Sequence, residues 1–284
     1  TETRIRFDDD RKIDKIVPVV RNDAHKLIEE CMLCANVSAA KFIEKHELDG
    51  LFRVHNGPKE QKLTNLKTFL GALGLSLPSR APTPVDYQQL LEKIADRPDS
   101  KIIQTVMLRS LSQAMYQPDN QGHFGLAYDA YAHFTSPIRR YPDLLVHRAI
   151  RSIIRSNKPT SHVKRADGAS TLAKKSIYPY AIEDMVMFGE HTSMAERRAD
   201  EATRDVVSWL KCEYLQNHVG DIFQGVVTGV TNFGLFVELL DVYVEGLIHI
   251  TGLPSDYYRV DEAHHRLVGE RINRVFSLVD VVTV

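Results

Sequence analysis

The sequence predicts an α+β chain, a helix-rich part followed by a small all-β barrel. Two observations carry that expectation. Up to about Asn217, apolar residues recur mostly at helical spacing, in segments long enough to form helices. Beyond it the texture changes to short β-rich runs, DIFQGVVTGV, LFVELL, VYVEGLIHI and FSLVDVVTV. Gly220, Gly225, Gly229, Gly234 and Gly246 punctuate these runs, as the bends of a small barrel require. The expected units are therefore residues 1–217 and 218–284.

Taken in order, TETRIRFDDD alternates Ile5 and Phe7 with polar residues, as a half-buried strand does. From Val20 to about Lys45 the spacing of Ala24, Leu27, Ile28, Met32, Ala35, Val37 and Ala39 predicts a long amphipathic helix. GLFRVHNGP (50–58) is a short strand closed by a Gly-Pro turn. Residues 60–73 and 85–96 predict two helices on either side of the Pro-rich LPSRAPTP, and residues 100–116 predict another. HFGLAYDAYAHF (123–134) reads as an aromatic strand, and residues 156–176 as a polar, basic loop with flexible portions. HTSMAERRADEATRDVVSWLKCEYL then starts a long helix, with Ser193 and Glu196 as an S-x-x-E capping box.

Bulk properties exclude some functions. The 284 residues are 43% hydrophobic and 26% charged, ordinary for a globular protein. No apolar run approaches the ~20 residues of a membrane span, and no signal-peptide pattern opens the chain. The expected location is the cytoplasm, with no membrane partner. A net charge of −1 decides nothing about nucleic acid, because an acidic exterior can surround a positive channel. Three cysteines fit a reducing compartment. Cys31 and Cys34 form a C-x-x-C, but inside the helical EECMLCANVSAA with no second pair, so helix packing is expected rather than metal. The chain opens on Thr1 rather than Met, and is expected to be a piece of a longer protein.

The most informative stretch is YAHFTSPIRRYPDLLVHR (131–148). Ser136 suits an N-cap and Pro137 a first helical residue, while Pro142 predicts a break, with the main helix from about Pro142 to Ile154. Arg139 and Arg140 would then stand beside free helix amides, walled by Phe134 and Tyr141. That arrangement suits a bidentate grip on a phosphate or on charge developing in phosphodiester cleavage. The plainer reading is a solvated arginine pair on a first helical turn.

The order G-x-V, then T-x-F-G-x-F-V, then E-G-L-I-H over residues 218–284 resembles the S1 class of OB-fold. Such barrels stack bases of single strands on exposed aromatics. The resemblance places Phe233, Phe236 and His249 on that platform. The alternative is that both phenylalanines are barrel core. Three positions apart, they cannot face alike in an unbroken strand, and Gly234 is what permits joint exposure. The chain ends at VVTV, where one more strand is expected, so the barrel is expected to be incomplete.

HFGLAYDAYAHFTSPIRRYPDLLVHR, with RNDAHKLIEECMLCANVSAAKF, LFRVHNGP, ADRPDS, RSLSQAMY and AERRADEATRDV, resembles the RNB family of 3′→5′ exoribonucleases across residues 1–217. The resemblance implies processive hydrolysis of RNA to nucleoside 5′-monophosphates with two Mg²⁺ ions. It implies that Arg139 contacts the scissile phosphate and that Arg140 is structural or binds the RNA backbone, with Thr135 and Ser136 on the same RNA-binding corner. Glu29 falls near the 3′-terminal ribose, where a carboxylate accepts from a 2′-OH. Asn36, seven positions on, is expected on the same channel wall. His25 and His133 are read as hydrogen-bonding or structural. The metal-binding aspartates are expected in a segment outside this chain, and Asp8, Asp9 and Asp10 as a solvated strand end. Expected partners are RNA 3′ ends, the N-terminal half of the same protein, and the ribosome or RNA quality-control machinery. The alternative is a non-catalytic RNA-binding fragment or scaffold.

Overall fold

An antiparallel hairpin, β1 (Thr3–Phe7) and β2 (Ile13–Pro18), opens the computed structural model, which describes residues 3–78, 80–156, 168–262 and 264–284. Asp8, Asp9 and Asp10 form its exposed turn, where the Asp8 carboxylate accepts from the Lys12 amide at 2.8 Å. α1 (Asp23–Lys45) follows. Asn22 caps it, accepting from the His25 amide at 3.1 Å, while His25 Nδ1 accepts from the Asn22 amide. His25 is thus structural.

Only the second half of α1 is buried, through Asn36, Ala39, Ala40 and Ile43. Ala39, Ala40 and Ile43 pack with β3 (Phe52–Val54), β4 (Met115–Gln117) and α5 (Tyr141–Ile154) in one core cluster. Leu27 and Ile28 in the first half are exposed. Cys31 and Cys34 share that exposed half, so the expectation that they pack inside a helix interface is corrected. Among the described residues no three His, Cys, Asp or Glu side chains gather into a set able to hold a metal ion.

A second cluster joins α2 (Glu60–Ala72), α3 (Pro84–Ile94) and α4 (Ser100–Ser110). The Thr83 hydroxyl and the Asp86 carboxylate cap α3 reciprocally, and Pro84 occupies its first turn. The helix expected over 100–116 stops at Ser110 because Leu111 turns extended, freeing Met115–Gln117 to pair with β3. Residues 123–134 are not a strand. Phe124 to Leu126 make a single 3₁₀ turn ending on left-handed Ala127, because the Phe124 amide is drawn to the His55 carbonyl and the Gly125 amide to His55 Nδ1.

After a short α6 (Lys174–Ile177), α7 runs unbroken from Ile182 to Leu215. Of the basic loop expected over 156–176, residues 157–167 lie outside the described residues. Ser193 and Glu196 are not a capping box. The helix has started eleven residues before Ser193, where the Asp184 carboxylate accepts from the Ala181 amide at 2.9 Å. Ser193 Oγ instead accepts from the Tyr116 amide of β4 at 2.8 Å and donates to the Gly189 carbonyl at 2.7 Å. Gly189 permits this approach, since a Cβ there would lie 2.6 Å from the Tyr116 carbonyl oxygen. Ser193→Ala strands a buried amide, and should lower stability by about 1–3 kcal/mol in urea titration with cleavage chemistry unchanged.

The C-terminal region is all β, as expected. One sheet orders β11 (Val281–Thr283), β5 (Gln224–Thr231), β6 (Gly234–Leu239) and β7 (Glu245–His249). The other orders β10 (Val275–Ser277), β9 (Arg266–Gly269) and β8 (Tyr258–Asp261). Val227, Leu235, Val237, Leu267 and Phe276 fill the space between them. The final VVTV is itself a strand: β11 pairs with β5, and the Phe223 and Val284 backbones exchange two hydrogen bonds.

The barrel is seated on the second helical cluster, not hung from α7 alone. Leu278 is buried among α2–α4 side chains, and Arg109 donates to the Thr228 carbonyl at 2.6 Å. No helix among the described residues is long and apolar enough to cross a membrane.

Candidate nucleic-acid interface

Residues 134–140 form a turn before α5 rather than its first turn. Arg140 occupies the N-cap position, and the Ser136 carbonyl accepts from the amides of Arg139 and Arg140 at 3.3 and 3.1 Å. Ser136 therefore does not cap the helix, contrary to expectation. Pro142 explains this: at the second helical position it needs no hydrogen bond, whereas six residues into a helix capped by Ser136 it would break the ladder.

The two arginines separate sharply. Arg140 lays its Nε and Nη2 on the two carboxylate oxygens of Asp143, at 2.9 and 2.8 Å. Asp143 is fully buried and also accepts from the Ser136 amide at 2.7 Å. Arg139 is exposed, beside a fully exposed Ile138, and its guanidinium makes no hydrogen bond or salt bridge among the described residues.

At the other end of the turn stands Asn36. Its Oδ1 accepts from the amides of Phe134 and Thr135 at 2.9 and 3.3 Å, and its Nδ2 donates to the Tyr131 hydroxyl at 2.9 Å. The expectation that Asn36 shares a channel wall with Glu29 is therefore corrected. At 3% exposure its amide is committed inside, because α1 dips into the core between the two residues. Glu29 stays on the exposed half of α1, paired with Arg21. Seven residues of helix place it about 10 Å along the axis from the Asn36 pin.

His147 completes the support. Its Nε2 donates to the Phe134 carbonyl at 2.9 Å, and its ring stacks on Phe134 at 4.1 Å. Behind the turn, Arg53 pairs with Glu196 at 2.6 Å and lies over the Tyr116 ring. The Tyr116 hydroxyl lies in hydrogen-bond contact with His133 Nδ1, at 2.8 Å. Burial, then the charge of Arg140, pushes the His133 pKa down to about 3, so this imidazole is neutral through the neutral range. Burial raises the Tyr116 hydroxyl in turn.

Sequence reasoning missed Arg53, Glu196 and Asp143. Only Asp143 left a local signal, an oppositely charged residue three positions after Arg140. The partners Arg53 and Glu196 are 143 residues apart, beyond any periodicity.

On the barrel, Leu235 and Val237 point inward, so Phe236 between them points outward, opposite Leu247 of β7. Phe236 is half-buried and Phe233 exposed, and their rings meet edge to face at 6.1 Å. His249 is exposed opposite Gly234, with Nδ1 2.8 Å from the Thr251 hydroxyl. The three rings thus share one face, outside the barrel core.

A family profile described as RNB domain matches residues 1–156, and one described as S1 RNA binding domain matches residues 217–283. The chain is 49% identical over its whole length to Ribonuclease R of Escherichia coli and 50% to that of Vibrio cholerae. It spans about a third (34%) of the length of each. Among solved structures it is similar to Mycoplasma genitalium RNase R in complex with ribose methylated single-stranded RNA. The TM-score is 0.83 at 26% identity, covering 99% of this chain and 42% of that one. Yeast Ssd1, described as a pseudonuclease, shares the fold with a TM-score of 0.66 at 20% identity, covering 87% of this chain and 29% of that one. The resemblances drawn from HFTSPIRRYPDL and from T-x-F-G-x-F-V both stand, and the chain belongs to the RNB family, with an S1 module after its helical region.

Proposed function

We propose that this chain is the phosphate-contacting and RNA-guiding part of a processive 3′→5′ exoribonuclease, which degrades single-stranded RNA in the cytoplasm to nucleoside 5′-monophosphates. The observation that carries this reading is Arg139, an exposed guanidinium without a protein partner among the described residues, at the tip of a turn held by buried side chains. A planar fork so presented meets a phosphate through two parallel hydrogen bonds. Relatives named Ribonuclease R and a neighbour in complex with single-stranded RNA support RNA as the substrate, and the direction follows the resemblance to the RNB family.

In this reading Arg139 contacts the scissile phosphate and stabilises the charge that grows there. Glu29 accepts from the 2′-OH of the terminal ribose, exchanging or sharing its Arg21 partner. Thr135 and Ser136 line the approach. Arg140 is committed to Asp143 and holds the turn rather than the RNA. Phe233, Phe236 and His249 stack bases on the barrel. The reading includes Mg²⁺-dependent hydrolysis, but the described residues do not fit as the ligand set, since no metal-capable cluster occurs among them. The carboxylates are assigned to the N-terminal half of the same protein.

The test uses 5′-labelled oligo(A) and Mg²⁺. The full-length gene product should shorten it one nucleotide at a time from the 3′ end, and EDTA should stop the reaction. The present chain alone should bind the oligonucleotide without cleaving it. Mononucleotide release by the chain alone, sensitive to EDTA, contradicts the division of labour. A non-catalytic scaffold is the second reading, favoured by the fold shared with a pseudonuclease; it requires the full-length product to leave the label intact.

Phe236→Ala should weaken RNA binding by ~1–3 kcal/mol, the worth of a lost base stack, with the barrel still folded by circular dichroism. Loss of the barrel without a separate binding defect would return Phe236 to a packing role.

A further inference from the structure

We propose that Asp143 is a positioning residue for cleavage, acting through the turn that presents Arg139; this rests on the reading of Arg139 given above. The bonds around the turn converge on this carboxylate. Asp143 Oδ1 receives the Ser136 amide at 2.7 Å and Arg140 Nη2 at 2.8 Å, while Oδ2 receives Arg140 Nε at 2.9 Å. One fully buried anion thereby ties the start of the turn to its end. Asn36 holds the Phe134 and Thr135 amides, and His147 holds the Phe134 carbonyl. Between these pins only Ile138 and Arg139 project as exposed side chains.

Stability alone is a poor account of such a carboxylate. Taking an anion fully out of water costs several kcal/mol, and a buried ion pair often does no better than apolar packing of equal volume. What the pair does supply is geometry. A bidentate fork fixes Arg140 in direction as well as distance, and Arg140 is the immediate neighbour of Arg139. The backbone of Arg139 is then set on both sides, by its own amide on the Ser136 carbonyl and by the locked Arg140. A flexible side chain on a fixed backbone reaches the phosphate without first ordering the loop. Misplacement by about 1 Å in such a site can cost on the order of 10²-fold in rate.

Asp143→Asn tests the idea, because an amide oxygen still accepts from Ser136 while the charged fork is lost. The reaction is single-turnover cleavage by the full-length gene product, with RNA affinity measured separately in Ca²⁺. Cleavage by Asp143→Asn should fall on the order of 10²-fold with RNA affinity unchanged. The double variant Asp143→Asn/Arg139→Ala should be no slower than Arg139→Ala alone, because a residue acting through Arg139 has nothing left to position. Multiplying defects in the double variant overturn the proposal. Normal cleavage by Arg139→Ala alone instead overturns the reading of Arg139 itself, and so the two failures are distinguishable. Should Asp143→Asn not fold, Arg140→Lys replaces it in the same cycle, since an ammonium cannot occupy both carboxylate oxygens in fixed geometry. The same non-additivity is then expected, and multiplying defects again overturn the proposal.

Discussion

Arg139→Ala in the full-length gene product should slow single-turnover cleavage by ~10²–10³-fold while RNA binding in Ca²⁺ changes little. The asymmetry between the two measurements is the point. A guanidinium that meets charge growing only in the transition state lowers the barrier without holding the ground state. Arg139→Lys should recover little, because an ammonium lacks the planar two-donor fork. Arg140→Ala should behave differently, since its guanidinium is spent on Asp143. Its defect should appear in folding, as loss of a partner from a fully buried carboxylate, and in cleavage through a misplaced Arg139, rather than as a charge missing at the phosphate. A nearly normal rate for Arg139→Ala would leave its exposed guanidinium as an ordinary solvated side chain.

The second large effect is expected at Gly234→Ala. Gly234 has φ of 151°, a backbone region that side chains rarely enter, and an added Cβ would fall 2.1 Å from the Ile248 carbonyl oxygen. Neither the strand backbone nor the paired β7 can yield without breaking the ladder between them. Backbone strain and overpacking together should destabilise the barrel by about 3–5 kcal/mol. Guanidinium unfolding followed by Phe fluorescence or far-UV circular dichroism would read this as an early loss of β signal. RNA affinity should fall with it, because the same glycine lets Phe233 and Phe236 reach one face. A variant with an unchanged midpoint would mean that this turn relaxes freely.

The helices and the barrel strands were legible where one periodicity ran without interruption. Leu27, Ile28 and Met32 gave α1 although none of them is buried, because the apolar face is a property of the segment and not of its neighbours. The same blindness to neighbours explains the errors. Ser193 and Glu196 carry the local chemistry of a helix start, yet they lie mid-helix and serve Tyr116 and Arg53 across space. Aromatic HFGLAYDAYAHF has strand composition, but His55 captures its backbone and folds it into a turn. β8 and β9 escaped notice because RVD and RLVG are too short and too charged to alternate clearly. In the site, Arg139 was singled out by the corner and by family resemblance. Asn36 was assigned to a wall because helical spacing gives a face but not its depth. Local spacing does not separate Arg139 from Arg140, which precede Asp143 by four and three positions; the difference depends on Asp143 lying beneath one and not the other.

Leu278 belongs by sequence to the barrel and by packing to the helices. Opening the barrel past β10 must therefore uncover part of the α2–α4 core, and melting those helices must strip cover from the barrel. The two regions then share a free-energy gap rather than owning one each, and this reverses the usual logic of an appended module. Such a module on a loose tether can be cut away or shuffled at little thermodynamic cost to its host. Here the junction behaves like an internal seam, so removing the barrel leaves an apolar wound on the helical body, with aggregation the natural sequel.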